Sequence, residues 1–309
     1  MTKPLRVALV GIGKIARDQH IPAIRANPDL ELAAAVSRNA TIDGIENFKD
    51  VAAMLAARPD IDMVSLCTPP QGRYEQASAV LAAGRHLMLE KPPGTAISEC
   101  NDLAEQASGA GLTLFATWHS RYAVAVADAK AFLADARVHR LHIEWKEDVR
   151  RWHPGQEWIW QPGGLGVFDP GINALSILTE IYPQALRVTS AELEFPANRD
   201  TPVAARLNFS ERGDAMIGAE FDWRQQGPQS WNITAETDKG AMQLTEGGAR
   251  LAIDGEAVHS GRDHEYPELY RRSVELVRAR QSDADFSPLI HVADAFLLGK
   301  RVVTDPFEF

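Results

Sequence analysis

Apolar and polar positions follow two different rhythms along the chain. In the first 120 residues, short and nearly unbroken apolar runs recur at Leu5–Val10 and at residues 31–36, 62–67, 86–90 and 112–117. Runs this short and this uniformly apolar are the form of strands buried on both faces. Segments with helical spacing lie between them. They cover residues 15–26, where Pro22 is a candidate break, and residues 48–57 and 74–83, the latter closed by Gly84 at a C′ position. Ser98 is placed to cap a further helix, which runs to about Ser108. Regular alternation of strand and helix predicts a doubly wound parallel sheet.

After Trp118-His119-Ser120 the rhythm changes. A helix fits residues 124–133. From His139 onward Leu141, Ile143 and Trp145 fall on one face and Arg140, His142, Glu144 and Lys146 on the other, the pattern of a half-buried strand. Glu147 continues the apolar face, where a carboxylate needs a partner or a ligand. Residues 203–209, 217–223 and 231–237 repeat the alternation with apolar odd positions, and residues 249–253 add another strand. They predict a mostly antiparallel, open sheet whose broad face must be covered by helices, substrate or another subunit, so a homo-oligomer through this sheet is expected. Two helices, residues 265–280 and 289–303, end the chain, one of them packing back on the first domain. The expected domains are 1–120 and 121–309.

Composition narrows the class. A length of 309 residues suits two domains, and 45% hydrophobic with 24% charged residues is ordinary for a soluble globular protein. The net charge of −10 argues against nucleic acid or an anionic membrane as a partner, since both demand a positive field. The two cysteines, Cys67 and Cys100, fit no metal-ligand spacing, so no metal is expected, and they suit a reducing compartment. Met1-Thr2-Lys3-Pro4-Leu5 runs straight into a strand, and no apolar run approaches membrane-spanning length. A cytoplasmic protein is expected.

The chemistry concentrates in a few stretches. Gly11-Ile12-Gly13-Lys14-Ile15-Ala16 follows the first strand and opens a helix, the context in which such glycines let a backbone approach a pyrophosphate. The second strand ends in Ser37-Arg38 in place of the Asp or Glu that binds a ribose 2′-hydroxyl. A hydroxyl and a guanidinium suit a 2′-phosphate, which favours NADP and leaves NAD open if Arg38 is only a solvated loop residue. Thr68-Pro69-Pro70 ends another strand and reads equally as a ligand loop or a plain proline turn. In Leu89-Glu90-Lys91-Pro92-Pro93 a lysine ends a buried strand, which packing alone explains poorly. Four of the seven tryptophans, Trp145, Trp152, Trp158 and Trp160, lie within sixteen positions. With Glu147 and His153 they suit a polyol pocket, although Trp158 and Trp160 read better as core, and Glu147, Trp152 and His153 read equally as pocket or as loop anchors and core. Gly163-Gly164 precedes Asp169-Pro170 and Asn173. Asp169 and Asn173 share one helix face, but Asp before Pro is also a good N-cap pair.

Gly11-x-Gly13-x-x-Ala16, Thr68-Pro69, Glu90-Lys91-Pro92 and Gly163-Gly164 before Asp169-x-x-x-Asn173 resemble, in order and spacing, the glucose–fructose oxidoreductase/inositol dehydrogenase family. The resemblance implies an α/β protein: an N-terminal Rossmann domain with a doubly wound parallel sheet, then a C-terminal α/β domain with an open, mostly antiparallel sheet. It implies oxidation or reduction of sugars and cyclitols with NAD or NADP. Residues 10–20, 115–120, 145–155 and 166–173 are similar to the bacterial aldose 1-dehydrogenases, which oxidise the anomeric carbon of L-arabinose, D-galactose or D-fucose to a lactone. Carried over by position, Lys91, Asp169 and Asn173 would be the reactive residues and His119, Glu147, Trp152, His153 and Trp231 the sugar contacts. Gly11, Gly13, Lys14, Ile15, Ser37, Arg38, Thr68, Pro69, Glu90 and Lys91 would hold the cofactor. Two positions depart from the family: Asn173 stands where histidine is customary, and Tyr74 where many members also have histidine. An amide takes up no proton, which leaves Asp169 or Lys91 as base. A cationic nicotinamide favours an ionised carboxylate, hence Asp169. A cyclitol dehydrogenase and a non-catalytic NADP-binding sensor are the alternatives.

Overall fold

The structure, a computed structural model, describes residues 3–261 and 264–308. The chain divides into two compact units. One runs to His119 and includes Tyr266–Phe286; the other runs from Ser120 to Glu265 and resumes at Ser287.

In the first unit, strands β1 (Leu5–Val10), β2 (Leu30–Val36), β3 (Glu46–Phe48), β4 (Met63–Leu66), β5 (His86–Leu89) and β6 (Leu114–Ala116) form a parallel sheet in the order β3-β2-β1-β4-β5-β6. The order reverses between β1 and β4, which is where open α/β sheets bind ligands beyond the strand ends. The apolar runs are the buried strands, with Val7 to Val10, Met63 to Leu66 and Leu87 to Leu89 almost wholly enclosed.

Three local expectations change. Phe48 ends a strand, and the next helix is Val51–Ala57, begun by Asp50, whose carboxylate accepts from the Ala53 N–H at 2.7 Å. Ser98 does not cap. The helix is Ile97–Gly109, and Glu99 reaches back to the N–H and hydroxyl of Thr95 at 3.1 and 2.8 Å. Pro22 does not break the first helix. A π-turn spans Ala16–His20, with the Ile21 N–H bonded to the Ala16 carbonyl, and helix Ile21–Ala26 follows directly. Proline is tolerated in a first turn, where its missing N–H is least needed. The helix Glu265–Ala279 and the segment after it join this unit: Thr113 donates to the Leu276 carbonyl, and the Ala116 N–H bonds the Asp283 carbonyl at 2.9 Å.

The second unit is built on β7 (Val138–Lys146), β8 (Arg187–Pro196), β9 (Ala204–Ser210), β10 (Met216–Asp222), β11 (Ser230–Thr237), β12 (Gly240–Thr245), β13 (Arg250–Ile253), β14 (Glu256–Ser260) and β15 (Lys300–Thr304). Their order is β14-β13-β12-β11-β7-β10-β9-β8-β15, antiparallel except at β7–β10 and β8–β15. The apolar odd positions are the buried ones. Helices Phe168–Ile181 and Ser287–Leu298 cover that face, with Phe168 against Phe221 and Phe296 at 5.7 and 5.6 Å. The other face carries cross-strand ion pairs, Lys146 with Glu220 at 3.0 Å among them. The last helix stops at Leu298. Gly299 breaks it, and the β-branched Val302-Val303-Thr304 go to strand β15.

Gly11, at the end of β1, has φ +88°, and a Cβ there would lie 2.8 Å from the Thr68 nitrogen at the end of β4. Gly11→Ala should therefore lower stability by about 1–3 kcal/mol. Urea denaturation should show this as a lower midpoint with an unchanged slope.

Candidate active site

The ends of β1, β2 and β4 form a cradle. Gly11 sits against Thr68, and nothing lies within 4 Å of the position a Gly13 Cβ would take. Lys14 and Ile15 are exposed beside it, and the Lys14 amine pairs with Asp18. Ser37 and Arg38 follow β2. Arg38 is exposed, with its carbonyl held by the Lys49 amine at 3.0 Å. Thr68 donates to Gln76 at 3.2 Å, and Pro69 is exposed. Open space over a glycine at a helix start fits a dinucleotide pyrophosphate, so these residues suit NAD or NADP.

Arg73, only 2% exposed, ties the strand ends together by donating to the carbonyls of Thr68, Glu90 and Pro92. Burial lowers its pKa to about 10, opposed by the charge of Glu90. Lys91 follows, half-buried, and its peptide bond to Pro92 is cis.

Glu90 is 4% exposed, and its side chain is fully engaged within this unit. One oxygen accepts from the Lys91 N–H; the other accepts from the Tyr266 hydroxyl at 2.5 Å and lies 3.4 Å from His20 Nε2. Burial would raise the Glu90 pKa, but His20, with His119 and Lys91, holds it at about 2. For His20, burial pushes the pKa down; Cys67, Tyr270 and Glu90 override it and raise the imidazole well above its usual range. The His119 ring stacks on Tyr266 at 5.3 Å. Contacts thus run from Gly11 through Thr68, Arg73 and Glu90 to Lys91, and through Tyr266 to His119. His20, Arg73, Tyr266 and Tyr270 were not among the sequence candidates. The one available signal was Tyr266 and Tyr270 lying four apart on a helix.

The second unit gathers another group. Glu147, 5% exposed, accepts from the indole N–H of Trp231 at 2.9 Å and of Trp223 at 3.3 Å. His153 lies between two carboxylates, Nε2 3.6 Å from Glu147 and Nδ1 3.6 Å from Asp169. Asp169 is 3% exposed and is not the N-cap. Val167 occupies that position, so the Asp169 carboxylate is directed to His153 from the second residue of helix Phe168–Ile181. A glycine turn precedes this helix, where a Gly164 Cβ would lie 2.3 Å from the Trp158 carbonyl. Asn173 is one turn further on and half-buried, its carbonyl accepting from Ser176. Trp152 is 38% exposed and meets Trp231 edge-on at 5.5 Å. With Arg151, Gln229, Asn232 and Glu246 these indoles line a cavity of about 270 Å³. Trp160 is core, against Trp223 at 5.1 Å. Among the described residues no group of three or more His, Cys, Asp or Glu could hold a metal ion, and no helix is long and apolar enough to cross a membrane.

The His20–Glu90 pair predicts a stability maximum. Glu90 has a folded pKa of about 2 against an ordinary 4.5, so its contribution is present above 4.5 and lost as pH falls through about 2. His20 is raised above 6.5, so its contribution is present below 6.5 and lost as pH climbs through the raised value. Urea unfolding across pH should show Glu90→Gln flattening the acid limb and His20→Gln the alkaline limb.

A family model described as "Oxidoreductase family, NAD-binding Rossmann fold" matches residues 5–117. Over 307 residues the chain is 43% identical to the galactose 1-dehydrogenase of Pseudomonas fluorescens, covering 99% of each chain. It is 55% identical to a D-galactose-1-dehydrogenase protein from Rhizobium etli, whose crystal structure matches with a TM-score of 0.97 over 100% of this chain and 99% of that one. A 3-ketoreductase from Actinomadura kijaniata, 19% identical with a TM-score of 0.83 over 98% of this chain and 100% of that one, shares the fold. The parallel nucleotide-binding sheet, the glycine cradle and full-length identity of this order agree: the chain is an oxidoreductase that belongs to the GFO/IDH/MocA family of NAD(P)-binding enzymes.

Proposed function

We propose that this enzyme oxidises the anomeric carbon of an aldopyranose to the lactone, acting on D-galactose and on L-arabinose and D-fucose, with NADP preferred over NAD. The observation that carries the reading is the half-buried His153 set between the buried Glu147 and Asp169, in the same unit as the exposed Trp152. It offers acceptors for sugar hydroxyls and an aromatic face for C–H groups. The galactose dehydrogenases of Pseudomonas and Rhizobium, similar over the full chain, support the same substrate class.

A dinucleotide held at Gly11, Gly13 and Thr68 would supply, in its nicotinamide, the acceptor for the hydride of C1. Asp169 accepts the proton of the C1 hydroxyl as the carbonyl forms, because a carboxylate takes up a proton where the Asn173 amide cannot. The Asn173 amide and the Lys91 amine orient and polarise the anomeric oxygen. Glu147 selects ring-hydroxyl configuration. Two indole N–H groups hold it in place, so it needs no reorganisation on binding. Galactose and arabinose share the configuration of C2 to C4 in the pyranose ring, so one pocket serves both. The Ser37 hydroxyl and the Arg38 guanidinium bind the 2′-phosphate. Cys67 and Cys100 are free thiols, and on that account we place the enzyme in the cytoplasm.

A spectrophotometric panel of D-galactose, L-arabinose, D-fucose and myo-inositol with each cofactor tests the substrate class. Lactone from the aldoses is expected, and turnover of inositol alone would overturn the reading. In stopped-flow NADPH formation, Asp169→Ala should lose about 10²–10⁴-fold in single-turnover rate. A near-normal rate there, with the loss in Lys91→Ala instead, would reverse the base assignment. Arg38→Ala should raise KM for NADP far more than for NAD; equal effects would remove the 2′-phosphate contact.

A further inference from the structure

His20 is an imidazole 1% exposed, in the first unit, with no part in the chemistry just described. The π-turn Ala16–His20 precedes the helix that holds Pro22. His20 sits between the edges of Tyr266 at 4.8 Å and Tyr270 at 5.7 Å. Nδ1 lies 2.8 Å from the Tyr270 oxygen, which also bonds the Ser65 hydroxyl. Which of Nδ1 and the Tyr270 oxygen donates follows the imidazole tautomer. Nε2 faces Glu90 Oε1 at 3.4 Å, where it is attracted only if it carries a proton. Beside this carboxylate the imidazolium form is favoured, and the pKa of the imidazole is raised well above its usual range.

Glu90 is the joint between this imidazolium and two candidate site residues. Its Oε2 holds the Lys91 N–H. Its Oε1 holds the Tyr266 hydroxyl, and the Tyr266 ring backs His119. We propose that His20 and Tyr266 are positioning residues: together they keep the Glu90 carboxylate ionised and in place, and through it they fix the Lys91 backbone and the His119 ring. The groups facing His20 are Cys67, Tyr270 and Glu90, with Tyr266 edge-on. A buried carboxylate loses its charge when its cation is removed, and with the charge would go the acceptor that holds Lys91. The kinetic consequence rests on the reading of Lys91 above; the positioning itself does not.

The test uses the full-length enzyme with His20→Gln and with Tyr266→Phe, the second keeping the ring against His119 and removing only the hydroxyl. Folding is checked by circular dichroism. Two readouts are taken. One is kcat against KM with the aldose the wild type turns over. The other is the pH midpoint of Lys91 carbamylation by cyanate, followed by peptide mass spectrometry, which needs neither substrate nor turnover. In each variant kcat should fall by about tenfold or more, with KM for the cofactor held within about twofold. The carbamylation midpoint should move, because the backbone that carries the Lys91 side chain is no longer held by the Glu90 carboxylate. A folded variant with an unmoved midpoint and wild-type kcat would make the cluster a structural ion pair only and overturn the proposal. If the wild type oxidises no aldose, the substrate reading fails while the carbamylation midpoint still decides this one. If His20→Gln does not fold, Tyr266→Phe gives the same decision.

Discussion

The buried Glu90 carboxylate is the group on which the geometry at the end of β5 depends. Taking a carboxylate out of water costs several kcal/mol unless an opposite charge and hydrogen bonds replace the solvent. Here the replacements are the His20 imidazole, the Tyr266 hydroxyl and the Lys91 N–H, which come from the first helix, the last long helix and the strand end itself. Each is also a constraint. Satisfying one carboxylate locks a helix begun fifteen residues into the chain and a helix some 250 residues later to the same lysine. Arg73 repeats the arrangement with opposite sign, a buried guanidinium that donates to three carbonyls of the loops after β4 and β5.

The second unit solves a similar problem with different partners. Glu147 is buried at the end of β7 and held by two indole N–H groups, with His153 between it and Asp169. Indoles donate without bringing charge. The carboxylate is therefore fixed in orientation. Groups held in this way stabilise developing charge without having to reorganise. Asp169, the second residue of its helix, does not cap it, and its carboxylate faces His153.

Much of the fold was legible because burial on both faces leaves an unmistakable run of apolar residues, and burial on one face leaves a period of two. Strands β1, β2, β4, β5 and β6 show the first, and β7, β9, β10 and β11 the second. The short or less regular strands β3, β8, β12, β14 and β15 were missed; β15 was read as the end of a helix because Val302 and Val303 are apolar in either conformation. In the candidate site, Glu147 was legible as a carboxylate out of place on an apolar face. Its two indole donors were not identified as such, since Trp223 and Trp231 are brought to it only by the pairing of β7, β10 and β11.

By itself the sequence determined the parallel nucleotide-binding sheet, the glycine turn at its first strand end and the open second sheet, and it marked the stretches that gather candidate chemistry. These follow from local rules: side-chain periodicity, glycine's backbone freedom, and the cost of a polar residue on an apolar face. Only the tertiary structure decided how Glu90 is used. Its neighbours His20 and Tyr266 are separated from it by 70 and 176 positions, and no local pattern marks them. A buried charge is satisfied by whatever the fold brings within hydrogen-bonding distance, and that distance is set by the packing of whole elements.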